Sequence, residues 1–139
     1  MIILDTNVIS ALMSIRPDDT VVRWMDKHPD SSIWTSSVTV FEIASGIELL
    51  PRGRKRDRLR SEFDRFVEED IERRVLPFDG LAAETAASLV GSRRRGGRLG
   101  ELRDTMIAGI AIARRATLAT RNIRHFDDLS VPVVNPWTD

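Results

Sequence analysis

Four residues could form a chemical site, because each lies at the predicted end of a strand or start of a helix: Asp5, Glu42, Asp104 and Asn122. Carboxylates held close together repel one another, by about 4 kcal/mol for a pair roughly 4 Å apart at an effective dielectric constant near 20. A hard divalent cation relieves this repulsion, and ligands that are all oxygen favour Mg²⁺ or Mn²⁺ over zinc. Such an ion activates a water and stabilises negative charge on phosphate, so the predicted chemistry is phosphodiester hydrolysis.

Three of these residues also have a purely structural interpretation. Glu42 could close a capping box that begins at Thr39. Asp104 could interact with the dipole of its helix, and Asn122 could be a turn residue. These interpretations do not require all of the residues to meet at one edge of a sheet, so we favour a shared site. Glu101, three residues before Asp104, could share a helix face with it and add another anion.

Short apolar strands alternate with helices along the chain. The predicted strands are residues 1–4, 32–37, 74–78, 116–120 and 131–134. The predicted helices are residues 8–13, 18–29, 39–50, 56–73, 80–94 and 101–115. This alternation is typical of an α/β fold with a parallel sheet and helices on both faces. Ligand sites in such sheets form at the carboxyl ends of strands where the strand order reverses, and Asp5 directly follows the first strand.

Composition excludes several other kinds of site. The 139 residues are enough for one domain with its own core. The chain has no cysteine, and its two histidines are too few for a His-rich zinc centre. No apolar stretch approaches the roughly 18–20 residues of a membrane helix, and the N-terminus does not have the pattern of a signal peptide. We therefore expect a cytoplasmic protein without a membrane partner.

Two runs of arginine concentrate positive charge, although Lys+Arg and Asp+Glu balance at 21 each. The runs are PRGRKRDRLR at residues 51–60 and SRRRGGR at residues 92–98. Cationic patches beside an anionic site can hold a nucleic-acid backbone, whereas the structural alternative is a solvated helix face and loop. We weigh the two equally for the first run. The second run leads into the helix of Asp104, and there we predict RNA contacts from Arg93, Arg94, Arg95 and Arg98.

In its motifs the chain resembles the PIN-domain nucleases, specifically the VapC-like (FitB-like) toxins of prokaryotic toxin–antitoxin pairs. The resembling stretches are MIILDTNVI, TSSVTVFEIASGI, RDTMIAGIAIA, LATRNIRHFDDL and VVNPW, and in order and spacing they cover essentially the whole chain. The resemblance implies a single PIN domain over residues 1–139. It also implies an α/β/α sandwich around a parallel sheet of four to five strands in the order 3-2-1-4-5, with strands one and four side by side.

The resemblance also assigns roles within the site. It implies catalytic roles for Asp5, Glu42, Asp104 and Asn122, of which the three acids would hold Mg²⁺ or Mn²⁺. The fourth position is often aspartate in the family, so the neutral Asn122 leaves open whether a second metal binds without the substrate. Thr6 corresponds to a hydroxyl that helps to fix the metal or its water, and Asn7 to a residue that steadies the loop.

The function implied by the resemblance is that of a metal-dependent endoribonuclease acting as a growth-inhibiting toxin. Its partners would be RNA, a cognate antitoxin protein and a second copy of the chain, with a larger assembly including the antitoxin. An aspartyl-phosphate phosphatase is a weaker alternative, because such enzymes need a second acid two residues after the first and this chain has Asn7 there. A non-catalytic PIN-like module that binds nucleic acid or protein is the remaining alternative, and metal-dependent RNA cleavage distinguishes it.

Overall fold

Five parallel strands form the central sheet in the computed structural model, which describes residues 1–139. The strands are β1 (Ile2–Leu4), β2 (Ile33–Ser36), β3 (Val75–Leu76), β4 (Thr117–Ala119) and β5 (Val133–Val134). Their order is β3-β2-β1-β4-β5, and every neighbouring pair is parallel. The α/β class, the strand order and the adjacency of β1 and β4 predicted above are confirmed.

Six helices connect the strands: α1 (Thr6–Leu12), α2 (Asp19–Asp26), α3 (Ser37–Glu48), α4 (Arg54–Arg65), α5 (Gly80–Arg95) and α6 (Leu102–Ala113). Side chains alternate between the two faces of a strand, so Leu4 and Ile3 enter different cores. Leu4 packs with residues of α1 to α4, whereas Ile3 packs with residues of α5 and α6. No helix combines the length and apolar character needed to cross a membrane.

The predicted helix over residues 56–73 is shorter than expected. Residues Phe66–Asp70 form a π-helical turn after α4, in which the amide of Ile71 donates to the carbonyl of Phe66, five residues earlier. Such a turn holds one more residue than an α-helical turn. Phe66 and Ile71 therefore both remain buried in the core that contains Leu4.

The starts of α3 and α6 also differ from the predictions. Ser36 is the N-cap of α3, where its side chain accepts a hydrogen bond from the Thr39 amide at 3.1 Å. The structural alternative for Glu42, a capping box that begins at Thr39, is therefore not formed, and Glu42 lies in the second turn, where it has no capping role. Glu101 is the N-cap of α6, and its carboxylate accepts a hydrogen bond from the Asp104 amide at 3.1 Å.

Candidate active site

Asp5 lies at the centre of the sheet edge, where β1 ends between β2 and β4. Its side chain is 3% exposed. Oδ1 accepts a hydrogen bond from the Thr6 amide at 2.8 Å. Oδ2 accepts from Thr120 Oγ1 at 2.7 Å and from Asn7 Nδ2 at 3.2 Å. The carboxylate is therefore fixed by neutral donors alone, and no cationic side chain pairs with it.

The electrostatics of Asp5 connect it to the other two predicted acids. Burial raises the pKa of Asp5 from 3.8 to about 6, because desolvation disfavours the charged carboxylate. The hydrogen bonds from Thr120 and Thr6 partly oppose this rise. The negative charges of Asp104 and Glu42 raise the pKa of Asp5 further. The fold therefore places the three acids in one electrostatic neighbourhood.

Glu42 is held against the start of α1 by Thr6. Thr6 Oγ1 donates to Glu42 Oε1 at 2.9 Å and lies 3.2 Å from Thr39 Oγ1. On its other side, Glu42 Oε2 is 3.7 Å from Arg103 Nη1, and half of the Arg103 side chain is exposed. The hydroxyl of Thr6 thus orients the Glu42 carboxylate across the gap between α1 and α3.

Asp104 contacts a residue that the sequence reasoning missed. Its Oδ2 atom is 2.8 Å from Nδ1 of His125, which lies in a 3₁₀ turn after β4. Thr120 was also missed, although it ends the predicted fourth strand and contacts Asp5 directly. The rule that singled out Asp5, a polar side chain at a strand end, could have found Thr120. His125 had no such signal, because its partner lies 21 residues earlier.

Asn122 follows β4 and Glu101 precedes α6, and their side chains make no hydrogen bond to the carboxylates of Asp5, Glu42 or Asp104. The amide of Asn122 donates to Thr120 Oγ1 at 3.0 Å, while its exposed side chain makes no hydrogen bond. The carboxylate of Glu101 caps α6 and lies 3.5 Å from Arg103 Nε. Neither contact supports a part for Glu101 as an additional anion of the site.

The donor set fits a hard divalent cation. All of the predicted ligands supply oxygen, and the buried carboxylate of Asp5 has no positive partner, which is costly unless a cation is added. As placed, no three acidic or histidine side chains lie close enough together to hold a metal ion by themselves. Mg²⁺ commonly binds through one or two carboxylates and keeps several waters, so an open arrangement suits it.

The second arginine run divides into buried and exposed residues. Arg93 is 4% exposed and its guanidinium contacts only other parts of the protein, so its predicted role in RNA binding is corrected. Arg98 is about one-third exposed and pairs with Asp127 at 2.5 Å. Arg94 and Arg95 are exposed. RNA contact by these three residues stays a prediction.

Comparisons with known proteins agree with this architecture. The sequence model of the PIN domain matches residues 2–131. The plasmid stability protein StbB of Pseudomonas syringae pv. tomato is 36% identical over 137 residues, which are 99% of each chain. The VapC ribonuclease Y4jK of Sinorhizobium fredii is 34% identical over 137 residues, 99% of this chain and 98% of the relative. The toxin FitB of Neisseria gonorrhoeae is 34% identical over 139 residues, 100% of both.

A solved structure extends the agreement to three dimensions. The crystal structure of FitAcB from Neisseria gonorrhoeae superposes with a TM-score of 0.86, at 33% identity and with 100% of both chains covered. Its full coverage means that the likeness includes every strand and helix described above. With a family match over nearly its whole length, this chain belongs to the PIN-domain family.

Proposed function

We propose that this chain is a metal-dependent endoribonuclease that acts as the growth-inhibiting toxin of a toxin–antitoxin pair. The observation that carries the proposal is the buried carboxylate of Asp5 at the carboxyl end of the central strand. It has two acidic neighbours and is paired with no cationic side chain. Relatives that match the whole chain and are named as a VapC ribonuclease and as a toxin support it. The active-site residues are Asp5, Glu42, Asp104 and Asn122.

Asp5, Glu42 and Asp104 would hold the ion, either Mg²⁺ or Mn²⁺. When bound, this ion supplies a Lewis acid that stabilises negative charge on the scissile phosphate and lowers the pKa of the attacking water. The surrounding side chains hold the acids in place for that chemistry. Thr120 and Asn7 fix one oxygen of Asp5, at 2.7 and 3.2 Å.

The remaining acids are oriented in the same way by neighbouring side chains. Thr6 donates to Glu42 at 2.9 Å, and His125 contacts Asp104 at 2.8 Å. A proton on Nδ1 of His125 would donate to this carboxylate. Each acid therefore has at least one side-chain partner that limits its rotation.

The partners proposed for the chain are RNA, a cognate antitoxin protein and a second copy of the chain, all in the cytoplasm. An apolar surface beside the site is available for the homodimer. It includes Phe41 and Leu102, which are 63% and 68% exposed, together with Phe78 and Met106. Sedimentation of the protein with Phe41→Glu tests this assembly: a dimer that persists unchanged would exclude this surface.

RNA cleavage by the purified protein tests the proposed function. We expect single-stranded RNA to be cut internally with Mg²⁺ or Mn²⁺, and not with EDTA or by the Asp104→Asn variant. Asp127→Asn is the matched control, because Asp127 is an exposed aspartate paired with Arg98. If the metal-loaded protein binds RNA but never cuts it, the non-catalytic binding module is the correct function.

A further inference from the structure

Arg93 lies behind the active site, where it joins three segments of the chain. Its Nε and Nη2 atoms donate to the two oxygens of Asp128 at 2.8 and 2.9 Å. Nη2 also donates to the carbonyl of His125 at 2.9 Å, and Nη1 donates to Thr105 Oγ1 at 3.0 Å. The end of α5 is thereby tied to the first turn of α6 and to the loop after β4.

We propose that Arg93 is a positioning residue for the active site, acting through the contact between His125 and Asp104. The inference rests on the proposed role of Asp104 as a metal ligand. Thr105 is the residue after Asp104, and the His125 carbonyl belongs to the residue whose ring contacts Asp104 at 2.8 Å. One guanidinium therefore holds the side chain of the residue next to Asp104 and the backbone of His125, on the two sides of that contact.

Only arginine fits this position. The group donates to three acceptors in different directions and pairs with Asp128 through two parallel bonds, which the rigid fork of a guanidinium allows and a lysine ammonium does not. Arg93 is 4% exposed, so its partners are not replaced by water. The hydrogen bonds from Arg93 also hold the pKa of Asp128 below its usual range.

Gly100 leaves the space that the guanidinium occupies. A Cβ atom at Gly100 would lie 2.5 Å from Arg93 Nη1 and 3.2 Å from Thr105 Oγ1. The first distance is too short for any van der Waals contact, so Gly100→Ala must displace Nη1 from its place beside Thr105. The glycine provides a way to disturb the positioning without removing the buried charge.

The test compares Gly100→Ala and Arg93→Lys with the wild-type protein. Mn²⁺ binding to the folded, RNA-free protein is measured by calorimetry, and we expect both variants to bind 10–100-fold more weakly, as when outer-shell partners of metal ligands are removed. In RNA cleavage we expect kcat to fall while KM and its salt dependence stay constant. An RNA-contact role would raise KM instead.

Histidine NMR at a fixed pH gives a readout without metal. The ring nitrogens of His125 should leave their wild-type tautomer distribution in both variants, while His28, the other histidine, is unaffected. Two variants serve as matched controls. Gly80→Ala adds a Cβ where no atom lies within 4 Å, and Arg114→Lys alters an exposed ion pair with Asp79.

Unchanged Mn²⁺ affinity and an unchanged His125 spectrum in folded Gly100→Ala would overturn the inference. If Arg93→Lys does not fold, the result for Gly100→Ala alone decides whether Arg93 positions the site. Asp104→Asn distinguishes this failure from failure of the proposed function. If Asp104→Asn loses Mn²⁺ binding while Gly100→Ala keeps it, only the role of Arg93 is wrong. If Asp104→Asn binds Mn²⁺ like the wild type, the proposed metal site itself is wrong.

Discussion

Asp5 and Arg93 are the two ionisable side chains that the fold buries most completely, at 3% and 4% exposure. Arg93 is paired within the chain, since Asp128 accepts two of its hydrogen bonds. Asp5 receives hydrogen bonds from neutral groups only, and its pKa is raised to about 6. The charge of Arg93 is therefore balanced within the chain, whereas Asp5 has no positive partner, and a bound cation would supply one.

Removing any one of the three acids should have the largest effect. We expect Asp5→Asn, Glu42→Gln and Asp104→Asn each to slow metal-dependent RNA cleavage by about a thousandfold, equivalent to about 4 kcal/mol of transition-state stabilisation. Single-turnover cleavage at saturating Mn²⁺ measures the loss, and circular dichroism checks that each variant is folded. Glu48→Gln is the matched control, because Glu48 is an exposed acid of the same helix as Glu42. Full activity in Glu42→Gln would show that Glu42 serves only as a partner of Thr6.

Breaking the ion pair of Arg93 and Asp128 should lower the stability of the fold. We expect Asp128→Asn to lower the free energy of unfolding by about 3 kcal/mol, because it leaves the charge of Arg93 buried without its partner. Urea denaturation measures the change. Asp127→Asn makes the same chemical change at a neighbouring, more exposed aspartate and should alter stability little. Equally small losses of unfolding free energy in both variants would mean that the charge of Arg93 does not depend on Asp128 for its stabilisation.

The raised pKa of Asp5 predicts an unusual pH dependence in the metal-free protein. The folded state binds a proton at Asp5 up to about pH 6, whereas the unfolded carboxyl releases it near 3.8. Folding stability from this residue therefore falls as pH rises from about 4 to 6, by about 3 kcal/mol in total. The difference in urea stability between wild type and Asp5→Asn, followed with pH, isolates the contribution. If the difference in stability between the two proteins stays constant from about pH 4 to 6, Asp5 is not a buried carboxyl with a raised pKa.

Much of the site was predictable because it follows from local rules. An apolar run that ends in Asp5 predicts a strand and a polar residue at its end, and both are found. The cap of α3 was not predictable from residue type alone, because Ser36 and Thr39 are both good N-caps and the end of β2 selects the earlier one. The burial of Arg93 depends on Asp128, 35 residues away, and nothing local distinguishes it from Arg94 or Arg95.

The exposed arginines should have a smaller effect on binding. The affinity for single-stranded RNA falls as salt rises, and we expect the double variant Arg94→Gln and Arg95→Gln to make this dependence shallower. The slope of log affinity against log salt should decrease in magnitude by roughly 1.4, about 0.7 for each phosphate that is no longer neutralised. Fluorescence anisotropy with the cleavage-deficient Asp104→Asn background measures the slope. An unchanged slope would assign both residues to the solvated surface.

The number of metal ions bound by Asp5, Glu42 and Asp104 tests most directly whether these acids need a cation from outside the chain. Three acids face the site, and the side chain of Asn122 is neutral and makes no hydrogen bond, so we expect one tightly bound Mn²⁺ in the RNA-free protein and a second only with the substrate phosphate. Asn122→Asp should tighten the second ion and leave the first nearly unchanged. Calorimetric Mn²⁺ titration of the RNA-free wild type, Asp5→Asn and Asn122→Asp measures this directly. The account predicts one tight ion in the wild type that is lost in Asp5→Asn; two equally tight ions in the wild type, or undiminished binding in Asp5→Asn, would contradict it.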